Sequence, residues 1–280
     1  MARPASHVIG AAVAASVVAT IARRRRTLTG GGAASATVAG TAVVAGGGGW
    51  WGALLVAFFT SSSALSRLAR RRSPVSNVAA RGDERDAVQV LANGGVATLL
   101  AIAAAFATPT TRVVLYSAYA GAVASATADT WATEIGALSA TPPRSIVSGR
   151  PVLPGTSGGV TRLGTLASAV AATLIGLLAA ARPDRGADHA RPAILRGTML
   201  AGLAGSIADS LFGATLQAVY HCPVCDQLTE RQRHPCGTST ILVRGYRVIT
   251  NDTVNAAATL IGAAVGAAIA QHAVAIDAQE

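Results

Sequence analysis

Lysine is absent from all 280 residues, which removes the P-loop lysine, the Schiff-base lysine and the strand lysine of protein kinases in one step. Charge is scarce as well: 13% of residues are charged, against roughly 25% in an average soluble domain. Aromatics make up 4%, too few for the stacking platform that a nucleic-acid binder sets beside its basic face. The three cysteines are an odd number and cannot form a complete disulfide framework. What remains is a chain that is 51% hydrophobic, with a mean hydropathy of +0.46 and a formal charge of +10 carried by Arg alone. A soluble globular fold and a nucleic-acid partner are both excluded by that combination. The basic excess reads instead as membrane orientation.

A bilayer-spanning helix needs about 20 mostly apolar residues, and eight stretches qualify. They cover 7–22, 29–46, 49–66, 87–107, 113–138, 163–181, 194–220 and 252–274. The second is the weakest, because glycines flank an Ala- and Thr-rich segment, so seven spans is the competing count. The fold class expected is therefore all-α, a polytopic integral-membrane bundle of seven or eight helices. Residues 1–66 hold its N-terminal helices and 67–275 a core region.

The apolar run Val8–Ala22 precedes the cluster Arg23–Arg26, the reverse of a cleaved signal peptide, and describes a retained first helix ending in the cytoplasm. Alternation from there places 17 of the 23 Arg in cytoplasmic loops. These are Arg23–Arg26, then Arg67, Arg70–Arg72, Arg81 and Arg85, then Arg144, Arg150 and Arg162, then Arg231, Arg233, Arg244 and Arg247. Arg3, Arg112, Arg182, Arg185, Arg191 and Arg196 fall on the other side with the acidic tail of Asp277 and Glu280.

Ionisable and amide groups within such spans are costly unless partnered or useful. Asp86, Gln89 and Asn93 share one helical face at the start of the fourth span. Asp129 and Glu134 lie in ADTWATEIG at the end of the fifth, and Ser206, Asp209, Ser210, Gly213 and Gln217 form a polar stripe on the seventh. Asn251, Asp252 and Asn255 open the eighth. All four groups fall at the cytoplasmic side of the topology drawn from Arg. Clustered carboxylates suit Mg2+, which binds one or two of them and keeps its other positions for water and phosphate.

Two loops add to this. The segment Pro154-Gly155-Thr156-Ser157-Gly158-Gly159 puts hydroxyls and unobstructed amides before the sixth span, between Arg150 and Arg162, a setting for phosphate. The segment 221–237 holds every cysteine. Cys222 and Cys225 have zinc-knuckle spacing, with His234 and Cys236 to complete a tetrahedral Zn2+ site and His221 as the alternative fourth ligand. A set of free thiols is the competing reading.

DAVQVLANGG, ADTWATEIG, PGTSGGVT, ADSLFGATLQ and NDTVN, in this order between about Arg67 and Ala270, resemble the integral-membrane family of unknown-function domain ninety-two. That family includes plant phytyl-phosphate kinase and transmembrane protein nineteen. The resemblance implies a kinase of the cell membrane, its site facing the cytoplasm, which converts an isoprenoid monophosphate (phytyl, prenyl or polyprenyl) to the diphosphate with CTP or another nucleoside triphosphate. On that reading Asp129, Glu134, Asp209 and Asp252 are the catalytic acids, with Asp129, Asp209 and Asp252 holding Mg2+. Gly155, Thr156, Ser157, Gly158 and Gly159 cradle nucleotide phosphates with Arg150 or Arg162, while Asn93, Asn251 and Asn255 orient groups. The rival function is a carrier or channel that uses the same acids as a substrate or ion site. The one-sided polar cluster and the lack of inverted repeats stand against it.

Overall fold

In the computed structural model, which describes residues 5–72, 84–183 and 191–277, the chain forms eight long helices. They are α1 (Ala5–Arg24), α2 (Gly30–Gly46), α3 (Gly49–Arg72), α4 (Ala87–Ala104), α5 (Pro109–Gly136), α6 (Arg162–Ala180), α7 (Arg191–Thr215) and α8 (Asn251–Asp277). Arg3, Arg81, Arg185 and Glu280 of the orientation argument lie outside the described residues. Among the described residues, five helices, α1, α3, α4, α6 and α8, are long and apolar enough to cross a membrane by length and composition. The chain is an all-α integral membrane bundle, as the apolar runs predict.

Local sequence explains where helices start. Thr29, Thr108 and Thr161 each accept a backbone N–H three residues on, and Pro109 occupies the first turn of α5, where its missing N–H costs nothing. Asp86 and Gln89 form a reciprocal capping box at the start of α4. The glycines after α2 stop it, with Gly48 at φ 114°.

The centre of the bundle is α5, buried without a break from Tyr116 to Ala128 and packed against α3, α4, α6, α7 and α8. Helices rather than lipid surround it, which is why it carries Ser, Thr and Tyr and lacks the hydropathy of a lipid-facing span. It crosses α8 antiparallel at near-backbone contact. A Cβ on Gly121 would stand 2.3 Å from the Gly262 carbonyl oxygen, and one on Gly262 would stand 2.7 Å from the Gly121 carbonyl oxygen.

At the end where α5 begins, Trp51 stacks on Tyr116 and Tyr119 at centroid distances of 5.1 and 4.7 Å. Tyr116 donates to the Ala179 carbonyl and Tyr119 to that of Trp51. Arg112 donates to the carbonyls of Ala104 (2.5 Å), Gly46 (3.1 Å) and Gly47 (2.6 Å), closing the C-terminal ends of α4 and α2. Arg112 is one of the Arg that charge orientation assigns to the less basic side, and its contacts give a structural reason for it: it answers the negative ends of two helices. Replacing Arg112 with Met should lower detergent unfolding stability by about 2 kcal/mol or more, since several charge-assisted bonds are lost, and Lys should recover only part. A thermal unfolding series of the three proteins checks this.

The opposite end carries the loops, and here the structure departs from the expected spans. The seventh helix stops at Thr215 rather than 220, and the chain enters a three-stranded antiparallel sheet ordered β4-β3-β5, with β3 Val219–Cys222, β4 Gln227–Thr229 and β5 Ile241–Arg244. Gln217 therefore leaves the helical stripe assigned to it. Two-residue strands β1 (Arg144–Ser145) and β2 (Gly159–Val160) pair antiparallel and close the glycine-rich loop. None of these strands shows the alternation of a longer one, so nothing in the hydropathy pattern marks them.

Candidate functional site

The site is built at the loop end by α5, α7, α8, the glycine-rich loop and the sheet. Close packing of Gly202 on Ala124 and of Gly205 on Ser125 fixes the parallel register of α7 on α5. Carried one turn further, that register sets Asp129 level with Asp209. Their carboxyl groups meet at hydrogen-bonding range, and Glu230, from the segment after β4, lies close enough for its charge to act on Asp209. Asp209 Oδ2 is buried with no hydrogen-bond partner among the described residues. Two carboxylates in contact repel unless a proton or a cation sits between them. With one oxygen buried and unsatisfied, the pair has the donor chemistry of a hard divalent cation site. Asp252 is buried in the first turn of α8, where the helix dipole favours a negative charge. The α5–α8 crossing places it about half a turn nearer the loop end than Asp129.

Beside this pair lies a polar network that joins the loop to the sheet. Glu230 Oε1 accepts from Ser157 Oγ at 2.9 Å and from Gln217 Nε2 at 2.5 Å. Arg244 donates to the Gly213 carbonyl at 2.9 Å and to that of Ser157 at 3.4 Å, and its Nε is buried without a partner among the described residues. Burial holds the Arg244 guanidinium below its usual range, and the nearby Glu230 partly offsets this.

The glycine-rich loop packs down onto α7. Gly158, at φ 80°, lies where a Cβ would stand 2.4 Å from that of Ala214, so only glycine fits. The amides of Thr156 and Gly159 donate within the loop, to the Leu153 and Thr156 carbonyls. Gly155 is exposed at the tip.

Among the other predicted residues, Glu134 and Asn93 are engaged elsewhere. Glu134 follows Asp129 by five positions, a turn of about 140° around the helix. It therefore faces α3, where it accepts from Ser66 Oγ at 2.5 Å. Arg150 and Arg162 are exposed. Asn93 donates to the Gln89 carbonyl on its own helix, while Asn251 and Asn255 are half-buried on the first turns of α8. The polar face begun by Asp86 and Gln89 is a helix cap, so Asp86→Ser, which keeps a capping oxygen, should leave both stability and any activity within about twofold of wild type.

Glu230 and Arg244 are the members that sequence reasoning missed as site residues, whereas Gln217 was in the polar stripe but lies past the end of α7. Glu230 and Arg244 carried no signal in the sequence, because only sheet pairing brings them to the loop.

The four sulfur and nitrogen donors of Cys222, Cys225, His234 and Cys236 lie within 4.8 Å of one another. Cys222 and Cys236 sulfurs are 3.7 Å apart, close to the roughly 3.8 Å edge of a tetrahedron with Zn–S bonds of about 2.3 Å. His221 instead contacts Asp226 at 2.8 Å, which leaves His234 as the nitrogen donor. Hydrogen bonding with Cys236 pushes the Cys225 thiol up to about 11, while Thr238 and then His234 pull Cys236 down to about 6.

Known proteins bear on about two thirds of the chain or more. It is 32% identical over 197 residues to Protein PGR of Arabidopsis thaliana, covering 64% of this chain and 67% of that one. It is 33% identical over 185 residues to an uncharacterized membrane protein of Methanocaldococcus jannaschii, covering 66% and 62% respectively. No solved structure matches. Residues 13–263 match the family described as integral membrane protein DUF92, a range that takes in α2 and α3 as well as the motif-bearing helices, and the chain belongs to that family.

Proposed function

We propose that this chain is a membrane-embedded phosphotransferase that converts an isoprenoid monophosphate to the diphosphate with CTP or another nucleoside triphosphate. The observation that carries the reading is the Asp129–Asp209 pair with its buried, unsatisfied oxygen. It lies beneath a glycine-rich loop and the guanidinium of Arg244. Chemistry that lacks a lysine needs this set of parts for phosphate.

Asp129 and Asp209, with Asp252 about half a turn further toward the loop end, are the residues to hold Mg2+. Bound there, the ion supplies charge neutralisation at the phosphate oxygens. An oxygen of the lipid monophosphate attacks the terminal phosphorus of the nucleotide. The new P–O bond forms as the bond to the bridging oxygen breaks, and the nucleoside diphosphate leaves with that electron pair. The attacking phosphate is already ionised, so no general base is required. Arg244 would stabilise charge on the transferred group, and Gly155 would offer its exposed backbone to the nucleotide. The isoprenoid tail stays in the bilayer. The Arg distribution supports a site facing the cytoplasm of a cell membrane.

The test offers purified protein in detergent labelled CTP or ATP with phytyl, geranylgeranyl and polyprenyl monophosphates. Mg2+-dependent diphosphate formation with at least one pair is expected. No turnover with any pair, together with tracer uptake by proteoliposomes, would favour a carrier and overturn the reading.

A further inference from the structure

The cysteine segment is separate from the acid pair, yet the sheet it belongs to supplies two of the three side chains that grip the glycine-rich loop, Glu230 and Arg244; the third, Gln217, donates to Ser157 Oγ at 3.3 Å. Glu230 lies one residue beyond β4 and four before His234, and it holds Ser157 and Gln217. Arg244 ends β5, opposite Val219 of β3, and binds the Ser157 carbonyl. The sheet that carries them has little core of its own. Leu228, Ile241 and Val243 are exposed, and the strands are four residues or fewer. Three such strands do not bury enough apolar surface to hold a fixed geometry unaided.

We propose that Cys222, Cys225, His234 and Cys236 hold a structural Zn2+, and that this closed site is the clamp that keeps Glu230 and Arg244 on the Ser157 loop. The four donors come from β3, from the turn after it and from the turn at 234–236, so one ion ties the two ends of the 222–236 segment together. Four protein ligands leave no open position, which makes the site structural and not catalytic. Its folding energy goes into a sheet that otherwise rests on short backbone ladders. The consequence reaches beyond the sheet: metal occupancy sets the order of a loop that contributes no ligand to it. Glu230 is thus a positioning residue, acting on the loop through Ser157.

Elemental analysis and hydrogen-exchange mass spectrometry of the full chain in detergent test this without any assay of activity. About one zinc per chain is expected, falling to background in the Cys222→Ser, Cys236→Ser double variant, and retained in Cys225→His, which preserves a donor. Stripping wild-type protein with a chelator should speed exchange about tenfold or more in residues 219–244 and also in 153–160, with α5 and α8 unchanged. Glu230→Ala should keep its zinc and speed exchange in 153–160 alone. A folded wild-type protein free of zinc overturns the metal site. Exchange in 153–160 that ignores both chelation and Glu230→Ala overturns the clamp.

Discussion

Asp209→Asn should reduce Mg2+-dependent diphosphate formation by about 100- to 1,000-fold while the bundle still folds. The amide keeps the size and one oxygen of the carboxylate but loses its charge, and a cation held between Asp129 and Asp209 loses one of the two carboxylates that face it. Stability should hold or rise, because the substitution removes a like-charge contact and the charge on a buried oxygen without a partner. Opposite movements of activity and stability mark a residue kept for function at a cost to the fold. Turnover within about tenfold of wild type would remove Asp209 from the reaction. Asp129→Asn should behave in the same way. Glu134→Gln should lose less than about tenfold, because its carboxylate answers Ser66 on α3 and not the acid pair.

The second large effect concerns stability. Gly121→Val places branched carbon atoms where even a single Cβ would lie 2.3 Å from the Gly262 carbonyl oxygen and 2.9 Å from Ala201 Cβ. Neighbours on both sides are packed helices, so α5 and α8 must separate, at a cost of about 3 kcal/mol or more. The separation also disturbs the register that sets Asp252 against Asp129, so activity should fall with stability. Gly95→Ala on α4 is the matched control, since a Cβ there meets nothing within 4 Å and alanine is the better helix former. Thermal unfolding of both variants in one detergent gives the comparison. Equal unfolding temperatures would mean that the α5–α8 contact is looser than described.

Much of the bundle could be read from sequence because apolar run length and Arg placement are properties of single segments. Asp129, Asp209 and Asp252 were likewise visible, each as an acid where hydrocarbon should be, and the structure brings Asp129 and Asp209 into contact. Other features were hidden for physical reasons. The pattern Asp86-Gln89-Asn93 is the same whether it serves a ligand or a helix cap, and only geometry separates the two. Spacing of five let Asp129 and Glu134 be grouped, although helical rotation sends them to different neighbours. The stripe on α7 ran through Gln217 because hydropathy does not register that the helix ends at Thr215. Glu230 and Arg244 depend on strand pairings between distant short segments, and sequence periodicity carries no signal for those.

Divalent-cation binding at the acid pair decides between a phosphate-handling site and a merely structural one. Mn2+, as a spectroscopic substitute for Mg2+, can be titrated into the purified protein and followed by electron paramagnetic resonance. A bound-ion signal is expected that Mg2+ displaces, that survives in the Cys222→Ser, Cys236→Ser double variant, and that disappears in the Asp129→Asn, Asp209→Asn double variant. Mn2+ binding of equal strength in the aspartate double variant, or none in wild type, would contradict a metal held by Asp129 and Asp209.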